Sequence, residues 1–251
     1  MITWLANPLR FARFAKIAAP VLAILAAVFI GFGLWQALFV SPAELYQGDS
    51  VRIMYVHVPS AWIAMMAYSF IAVSGFISYV WRHPLADNLG RACALPGAAF
   101  TFLALVTGSL WGSVTWMTYW EWDGRMTSFL ILLFIYIGYM SIWAVMDDKK
   151  RAARIAGLVA MVGAINLPII KFSVDWWDDT LHQKATISSP GAPGMGPEFL
   201  TPLFLMMAGF TCLFAWMVIT SVMTDIAKKR KIAAKRSETN KPARVTIETE
   251  A

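Results

Sequence analysis

The sequence has few charged residues for its length. Of its 251 residues, 14% are charged and 59% are hydrophobic. A soluble domain of this size needs more charge to cover its surface, so this composition argues against the soluble globular class. The formal net charge of +6 would suit nucleic-acid binding. The basic residues, however, stand in short blocks between apolar runs, which is typical of membrane proteins, and we expect no nucleic-acid partner.

Cysteine and histidine are scarce as well. The two cysteines, Cys93 and Cys212, lie inside apolar segments, and we interpret them as small core residues.

The first apolar run is long enough to span a bilayer, and no small-residue cleavage site follows it. We therefore expect that it stays in the protein and is not removed as a signal peptide.

Six apolar segments are long enough to cross the hydrocarbon core of a bilayer, which requires about 20 residues. The segment near 155–174 reaches this length only if the Lys171 side chain extends to the interface. We predict an all-α integral membrane protein surrounded by membrane lipid, with one six-span domain over residues 1–227. The basic tail at 228–251 should begin as a short helix and then be disordered. The predicted spans are 17–40, 58–81, 92–111, 126–146, 155–174 and 199–224.

The basic residues are distributed unevenly between the two sides of these spans. Seventeen of the 21 Lys and Arg residues fall in the N-terminus, the two even-numbered connections and the tail, and four fall in the other loops. By the positive-inside rule, both termini should be cytoplasmic. Three outer loops then remain, near 41–57, 112–125 and 175–198. They contain most of the unusual residues of the chain.

The second outer loop is rich in aromatic residues. Four tryptophans and one tyrosine occur within the twelve residues from 111 to 122. An aromatic belt at the lipid headgroups is one interpretation. The interleaved Glu121, Asp123 and Arg125 instead favour a loop at or above the interface, because a charge at bilayer depth costs roughly 2.5–3.5 kcal/mol. Such a surface suits a flat apolar ligand with polar edges, such as a porphyrin, whose propionate could meet Arg125. The tryptophans are Trp111, Trp116, Trp120 and Trp122.

Two of the three histidines are predicted on the same outer face. His57 stands at the outer end of the second span and His182 in the third outer loop, whereas His83 belongs to a cytoplasmic loop. Neutral imidazoles from two loops can ligate haem iron from opposite sides of the ring. A zinc site that also uses Asp178 and Asp179 is the alternative, although it leaves the aromatic surface without a role. The chain has no Cys-x-x-Cys-His motif, so it does not attach haem to itself in the c-type manner.

Three stretches together resemble one protein family. The run Trp-Glu-Trp-Asp-Gly-Arg-Met-Thr-Ser, which ends at Ser128, resembles the WWD signature of haem-handling proteins. The stretches 54–62 and 176–187 match the branch known as haem exporter protein C (CcmC) of system I cytochrome c maturation. The resemblance covers roughly residues 17–224. One difference is that family members carry Pro-Met-Trp-Gly where this chain has Val114-Thr115-Trp116-Met117, which affects the local turn.

The resemblance implies a six-span protein of the bacterial inner membrane that binds haem b on the periplasmic side. His57 and His182 match the two axial-ligand positions, and Trp116, Trp120, Trp122 and Asp123 match the signature. The implied partners are the periplasmic haem chaperone (CcmE), ATP-binding-cassette and membrane subunits (CcmA and CcmB), and a small single-span subunit (CcmD). The chain has no phosphate-binding Gly-x-x-x-x-Gly-Lys-Ser/Thr motif of its own. We expect a haem-delivery protein that assists covalent attachment of haem to the chaperone, and not a conventional enzyme.

Two other functions remain open from the sequence. A membrane electron-transfer cytochrome with two histidine ligands usually carries histidines within its spans, and here none lies mid-span. A transmembrane haem exporter should have polar residues facing inward at mid-depth. Asn166 is a candidate for such a residue, but Asn166-Leu167-Pro168 is equally typical of a proline-kinked helix whose amide is hydrogen-bonded.

Overall fold

The computed structural model describes residues 8–81, 84–177, 181–182 and 195–239. A short π-helix at Gln36–Val40 and a 3-10 helix at Asp49–Ile53 lie between the first two long helices. The α-helices of the described residues are α1 (Pro8–Trp35), α2 (Met54–Trp81), α3 (Pro84–Thr115), α4 (Gly124–Val145), α5 (Lys149–Gly163), α6 (Asn166–Trp176) and α7 (Pro197–Thr239).

Six helical stretches of the described chain are long and apolar enough to cross a membrane. The predicted class, an all-α protein with six spans, is therefore confirmed. The helices are longer than the predicted spans: α3 begins at Pro84 and α7 continues to Thr239, because polar residues continue a helix where the apolar run has ended. The beginning of the predicted tail is helical in this way, and residues 240–251 lie outside the described residues. The cytoplasmic placement of both termini stays a prediction.

The fifth span is a helix with a break in the middle. Its two parts, α5 and α6, are separated at residues 164–165. Pro168 lies in the first turn of α6, where its missing N–H removes no helical hydrogen bond. The buried Asn166 amide donates to the Ser128 carbonyl oxygen at 2.8 Å. This confirms the interpretation of a proline-kinked helix with a satisfied amide, so Asn166 gives no support to a polar path through the bundle.

Helix α2 lies at the centre of the bundle and packs against α3, α5 and α7, while α1 pairs mainly with α7. The Tyr68 and Tyr136 rings meet edge to face with centroids 5.2 Å apart. The Tyr136 hydroxyl donates to the Ala64 carbonyl at 2.7 Å, so this buried polar group is paired within the apolar core.

Helices α2 and α5 approach closely because glycines face each other. A Cβ at Gly75 would lie 3.0 Å from the Gly157 carbonyl oxygen, as is common where membrane helices pack through small residues.

The connections between the helices gather at opposite ends of the bundle. At one end, Trp111 Nε1 donates to Gln47 Oε1 at 2.9 Å and links the first two outer loops. The third outer loop joins them through His182. At the other end, Lys229 of α7 donates to Asn88 Oδ1 at 2.9 Å. The three loops predicted to share one face are therefore close to one another.

Candidate functional site

His57 lies in the first turn of α2 and packs against α3. Its Nδ1 atom is 3.0 Å from the Ala104 carbonyl oxygen and 3.2 Å from Thr107 Oγ1. Its ring meets the Trp111 ring edge to face at 5.8 Å. Gly108 leaves the space that the imidazole fills, since a Cβ there would come within 2.8 Å of His57 Cε1. The half-buried ring is thus held between two helices.

The neighbours of His57 select one tautomer. A carbonyl oxygen can only accept, so the nitrogen that faces Ala104 must carry the proton. The Thr107 hydroxyl donates its proton to the Leu103 carbonyl at 2.7 Å. Toward His57 its oxygen therefore acts as an acceptor, which also favours a proton on Nδ1. With the proton on Nδ1, the neutral ring keeps the lone pair of Nε2 for a metal or another electrophile.

His182 is held in a similar way by a side chain. Its Nδ1 lies 2.6 Å from Asp123 Oδ2. The Trp116 ring packs edge-on against the imidazole, with centroids 4.8 Å apart. A carboxylate is an acceptor, so it favours the proton on Nδ1 and the lone pair on Nε2. Both outer histidines therefore have Nδ1 committed to an oxygen acceptor.

Asp123 is buried, with 6% of its surface exposed, and both its oxygens are used. Oδ1 accepts from the Met126 backbone N–H at 2.7 Å and caps the first turn of α4, while Oδ2 contacts His182. Burial by itself would raise the pKa of this carboxyl. The hydrogen bonds from His182 and Met126 outweigh burial and hold the pKa of Asp123 below its usual value.

The tryptophan-rich loop folds back over the end of α3. Ser109 Oγ donates to the Tyr119 carbonyl at 2.6 Å, which fixes the return of the chain. Met117 has φ 60°, a left-handed conformation that glycine adopts more readily than methionine. Met117 ends the Val114–Met117 run, so this turn contains a strained residue.

Two nitrogen donors near this loop are buried without an acceptor in the described part of the chain. They are Trp120 Nε1 and Arg125 Nε. Neither atom can accept a hydrogen bond, so the ligand that suits them carries acceptor oxygens. The Arg125 guanidinium is within electrostatic range of Asp123 and Asp175. A porphyrin propionate has the required chemistry, and the donor set therefore fits a haem.

The structure brings most of the predicted residues to one end of the bundle. His57 contacts Trp111, His182 contacts Trp116 and Asp123, and His57 lies within electrostatic range of His182 and Arg125. The other two tryptophans of the loop, Trp120 and Trp122, pack against each other with ring centroids 5.4 Å apart. Trp122 is 72% exposed.

The zinc alternative finds no support among the described residues, where no three His, Cys, Asp or Glu side chains form a metal-binding group. The two aspartates proposed for it, Asp178 and Asp179, lie outside those residues, as does His83. Cys93 and Cys212 are both free, and Cys93 is buried as expected of a core residue.

Three neighbours of the histidines were not identified from the sequence. They are Gly108, Thr107 and Ala104, all beside His57. Asp123 was identified, but its contact with His182 was not. Asp123 directly precedes an apolar run, and that position is typical of a helix N-cap. This pattern signals the cap, but no sequence pattern signals that the second carboxylate oxygen meets a histidine 59 residues later.

The fold and the site together define a multi-pass helical membrane protein with a pair of oriented histidines on an aromatic surface at one end. The chain belongs to the Heme exporter protein C (CcmC) family, whose model matches residues 1–237.

Several relatives are similar over most of their length. The chain is 47% identical to the Heme exporter protein C of Bradyrhizobium diazoefficiens over 226 residues, which cover 90% of this chain and 85% of the relative. It is 41% identical to the Escherichia coli K12 protein of the same name, with 86% of each chain covered. A putative cytochrome c biosynthesis ccmC-like mitochondrial protein of Marchantia polymorpha is 40% identical, over 74% of this chain and 81% of the relative.

Proposed function

We propose that this protein handles haem in cytochrome c biogenesis, binding haem b at the outer end of the bundle and presenting it to the periplasmic haem chaperone. His57 and His182 ligate the iron through Nε2, and the aromatic side chains of the second loop cover the ring. The observation that carries the proposal is the pairing of Nδ1 with an oxygen acceptor at both histidines. Two metal-ligating imidazoles are expected to be oriented in this way.

The rest of the site supports the same ligand. Trp111 and Trp116 each pack against one of the two histidines and provide apolar surface for a porphyrin. Arg125 Nε and Trp120 Nε1 supply donors for its propionates. Haem is cargo here. The role of the chain is to bind it, orient it and leave one edge accessible for a histidine of the chaperone.

Family membership supports a proposal for the cellular setting. The names of the relatives refer to haem export and to cytochrome c biosynthesis. We place the protein in the bacterial inner membrane, with the haem site on the periplasmic side. It would act with the chaperone CcmE in a complex that includes CcmA, CcmB and CcmD, and it would assist covalent attachment of haem without being an enzyme itself.

Ligation is tested with the purified protein in detergent. Wild-type protein should bind haem with a low-spin visible spectrum, and replacing both His57 and His182 with alanine should abolish that spectrum. His83→Ala is the matched control, because it removes the third histidine from the predicted cytoplasmic loop. Full haem binding by the double variant would show that the ligand assignment is wrong.

Delivery is tested by mixing the haem-loaded protein with a purified periplasmic haem chaperone. Haem should move to the chaperone and remain attached to it after denaturation. Rapid oxidation of a quinol by the loaded protein, without transfer to the chaperone, would instead favour the electron-transfer cytochrome. Haem uptake into sealed vesicles by this chain alone would favour the exporter.

A further inference from the structure

Asp123 joins two elements that are distant in the sequence. Its Oδ1 accepts from the Met126 backbone N–H at 2.7 Å, and its Oδ2 lies 2.6 Å from His182 Nδ1. The carboxylate side chain is 1% exposed and the His182 side chain 18% exposed. One carboxylate therefore both begins α4 and orients a histidine of the third outer loop.

This arrangement controls which nitrogen of His182 can bind a metal. With an acceptor 2.6 Å from Nδ1, the proton of the neutral ring is on Nδ1 and the lone pair is on Nε2. The Trp116 ring, at 4.8 Å, limits rotation of the imidazole away from this hydrogen bond. Tautomer and orientation are thus set before any ligand arrives.

We propose that Asp123 is a positioning residue, which makes Nε2 of His182 the ligand atom and fixes the third outer loop to the start of α4. The inference rests on the proposed function, because a ligand atom implies a bound haem. A positioning role for Asp123 is different from direct contact with haem, because both of its carboxylate oxygens already accept hydrogen bonds within the protein. His57 needs no such residue, because the Ala104 backbone carbonyl has the same role there.

Asparagine at position 123 separates the two roles. If the amide oxygen keeps the cap on Met126, the amide NH₂ faces His182 Nδ1. Because NH₂ can only donate, Nδ1 must accept and the proton moves to Nε2, which then cannot ligate iron. If the amide instead turns its oxygen to His182, the NH₂ group faces the Met126 N–H, the cap is lost and the melting temperature falls.

Asp148→Asn is the matched control. Asp148 caps α5 by accepting from the Lys150 and Arg151 backbone N–H groups, as Asp123 caps α4. Asparagine is also a good cap, so this variant makes the same chemical change at a helix start in the predicted cytoplasmic connection. It should leave haem binding unchanged.

The first experiment needs no haem. The chain has three histidines, so the imidazole nitrogens of ¹⁵N-histidine-labelled protein can be resolved by NMR and assigned with His57→Ala and His83→Ala variants. At alkaline pH, His182 should carry its proton on Nδ1 in the wild type and in Asp148→Asn. In Asp123→Asn the proton should be on Nε2, or the melting temperature should fall. Wild-type His182 with its proton on Nε2 would overturn the proposal.

The second experiment measures haem titration by visible spectroscopy. Loss of a group that hydrogen-bonds a metal ligand typically weakens metal affinity about 10–100-fold. If the amide oxygen keeps the cap on Met126, Asp123→Asn should lose affinity by that factor together with the low-spin spectrum. Equal affinity and spectrum in Asp123→Asn and wild type, without a fall in melting temperature, would overturn the positioning role while the proposed function stands. If wild-type protein binds no haem, the proposed function fails, and the tautomer measured by NMR still decides the part of the inference that concerns Asp123 and His182.

Discussion

Gly108 faces the imidazole of His57 so closely that a Cβ at this position would lie 2.8 Å from His57 Cε1. The contact joins the first turn of α2 to the last turns of α3. Because His57 is also hydrogen-bonded to the Ala104 carbonyl one turn away, the ring cannot move aside without losing that bond. A residue with no side chain therefore determines where a proposed haem ligand lies.

Gly108→Ala should displace His57 and weaken haem binding. Overpacking costs about 1–3 kcal/mol, and 1.4 kcal/mol corresponds to tenfold in affinity. We expect a loss of about tenfold in a haem titration, with a shifted visible spectrum. Gly138→Ala in α4 is the control, because nothing lies within 4 Å of a Cβ there. Equal haem affinity in Gly108→Ala and wild type would show that His57 tolerates displacement or is not a ligand.

Met117→Gly should stabilise the second outer loop. Met117 has φ 60°, and a left-handed backbone costs an L-residue roughly 1–2 kcal/mol. Relief of this strain should raise the melting temperature by a few degrees. The gain is smaller than the full strain because glycine also increases the conformational entropy of the unfolded chain.

Gly48→Ala is the reciprocal test of the same argument. Gly48 has φ 57° and ψ −138° with open space around its Cα, so an added methyl group introduces backbone strain and no clash. The melting temperature of the Gly48→Ala variant should fall, because the strain costs about 1–3 kcal/mol of folding free energy.

For Met117→Gly, the contradicting result is a lower melting temperature than wild type. It would mean that contacts of the methionine side chain outweigh the strain.

Trp111 has two separable contacts. Trp111→Phe keeps an aromatic ring near His57 and removes the Nε1–H bond to Gln47, whereas Trp111→Ala removes both. An aromatic pair contributes about 0.5–1.5 kcal/mol beyond the area that it buries. Haem affinity should therefore fall in the order wild type, Trp111→Phe, Trp111→Ala, as measured by titration. Gln47→Ala should resemble Trp111→Phe, and a larger loss in Gln47→Ala than in Trp111→Ala would contradict the role of the ring.

Acid should weaken the fold in part through Asp123. The pKa of this carboxyl is lower in the folded protein than its usual value, so folding favours the ionised form. The resulting stability is complete above the unfolded pKa, about 3.9, and is lost as pH falls through the folded pKa. The difference in melting temperature between wild type and Asp123→Asn should therefore shrink below about pH 4. A difference that stays constant from pH 6 to pH 3 would rule out this contribution.

Sequence reasoning predicted the spans because burial in lipid imposes a length and composition that a hydropathy pattern records directly. It was less accurate at the helix ends, such as Pro84 and Thr239, where polar residues extend a helix beyond the lipid. The aromatic loop and the two outer histidines were identifiable because they stand out from an apolar background. Trp122 is largely exposed, and its contact with haem stays a prediction.

The sequence by itself determined the six-span class, the grouping of the three outer loops and the residue types of the site. Local composition and charge set these features, and both can be read along the chain. Only the tertiary structure decided that Asp123 meets His182 and that Gly108 faces His57, because each contact joins segments far apart in the sequence. The direction of an imidazole depends on the one acceptor that folding brings to Nδ1, and this acceptor leaves no pattern in the sequence.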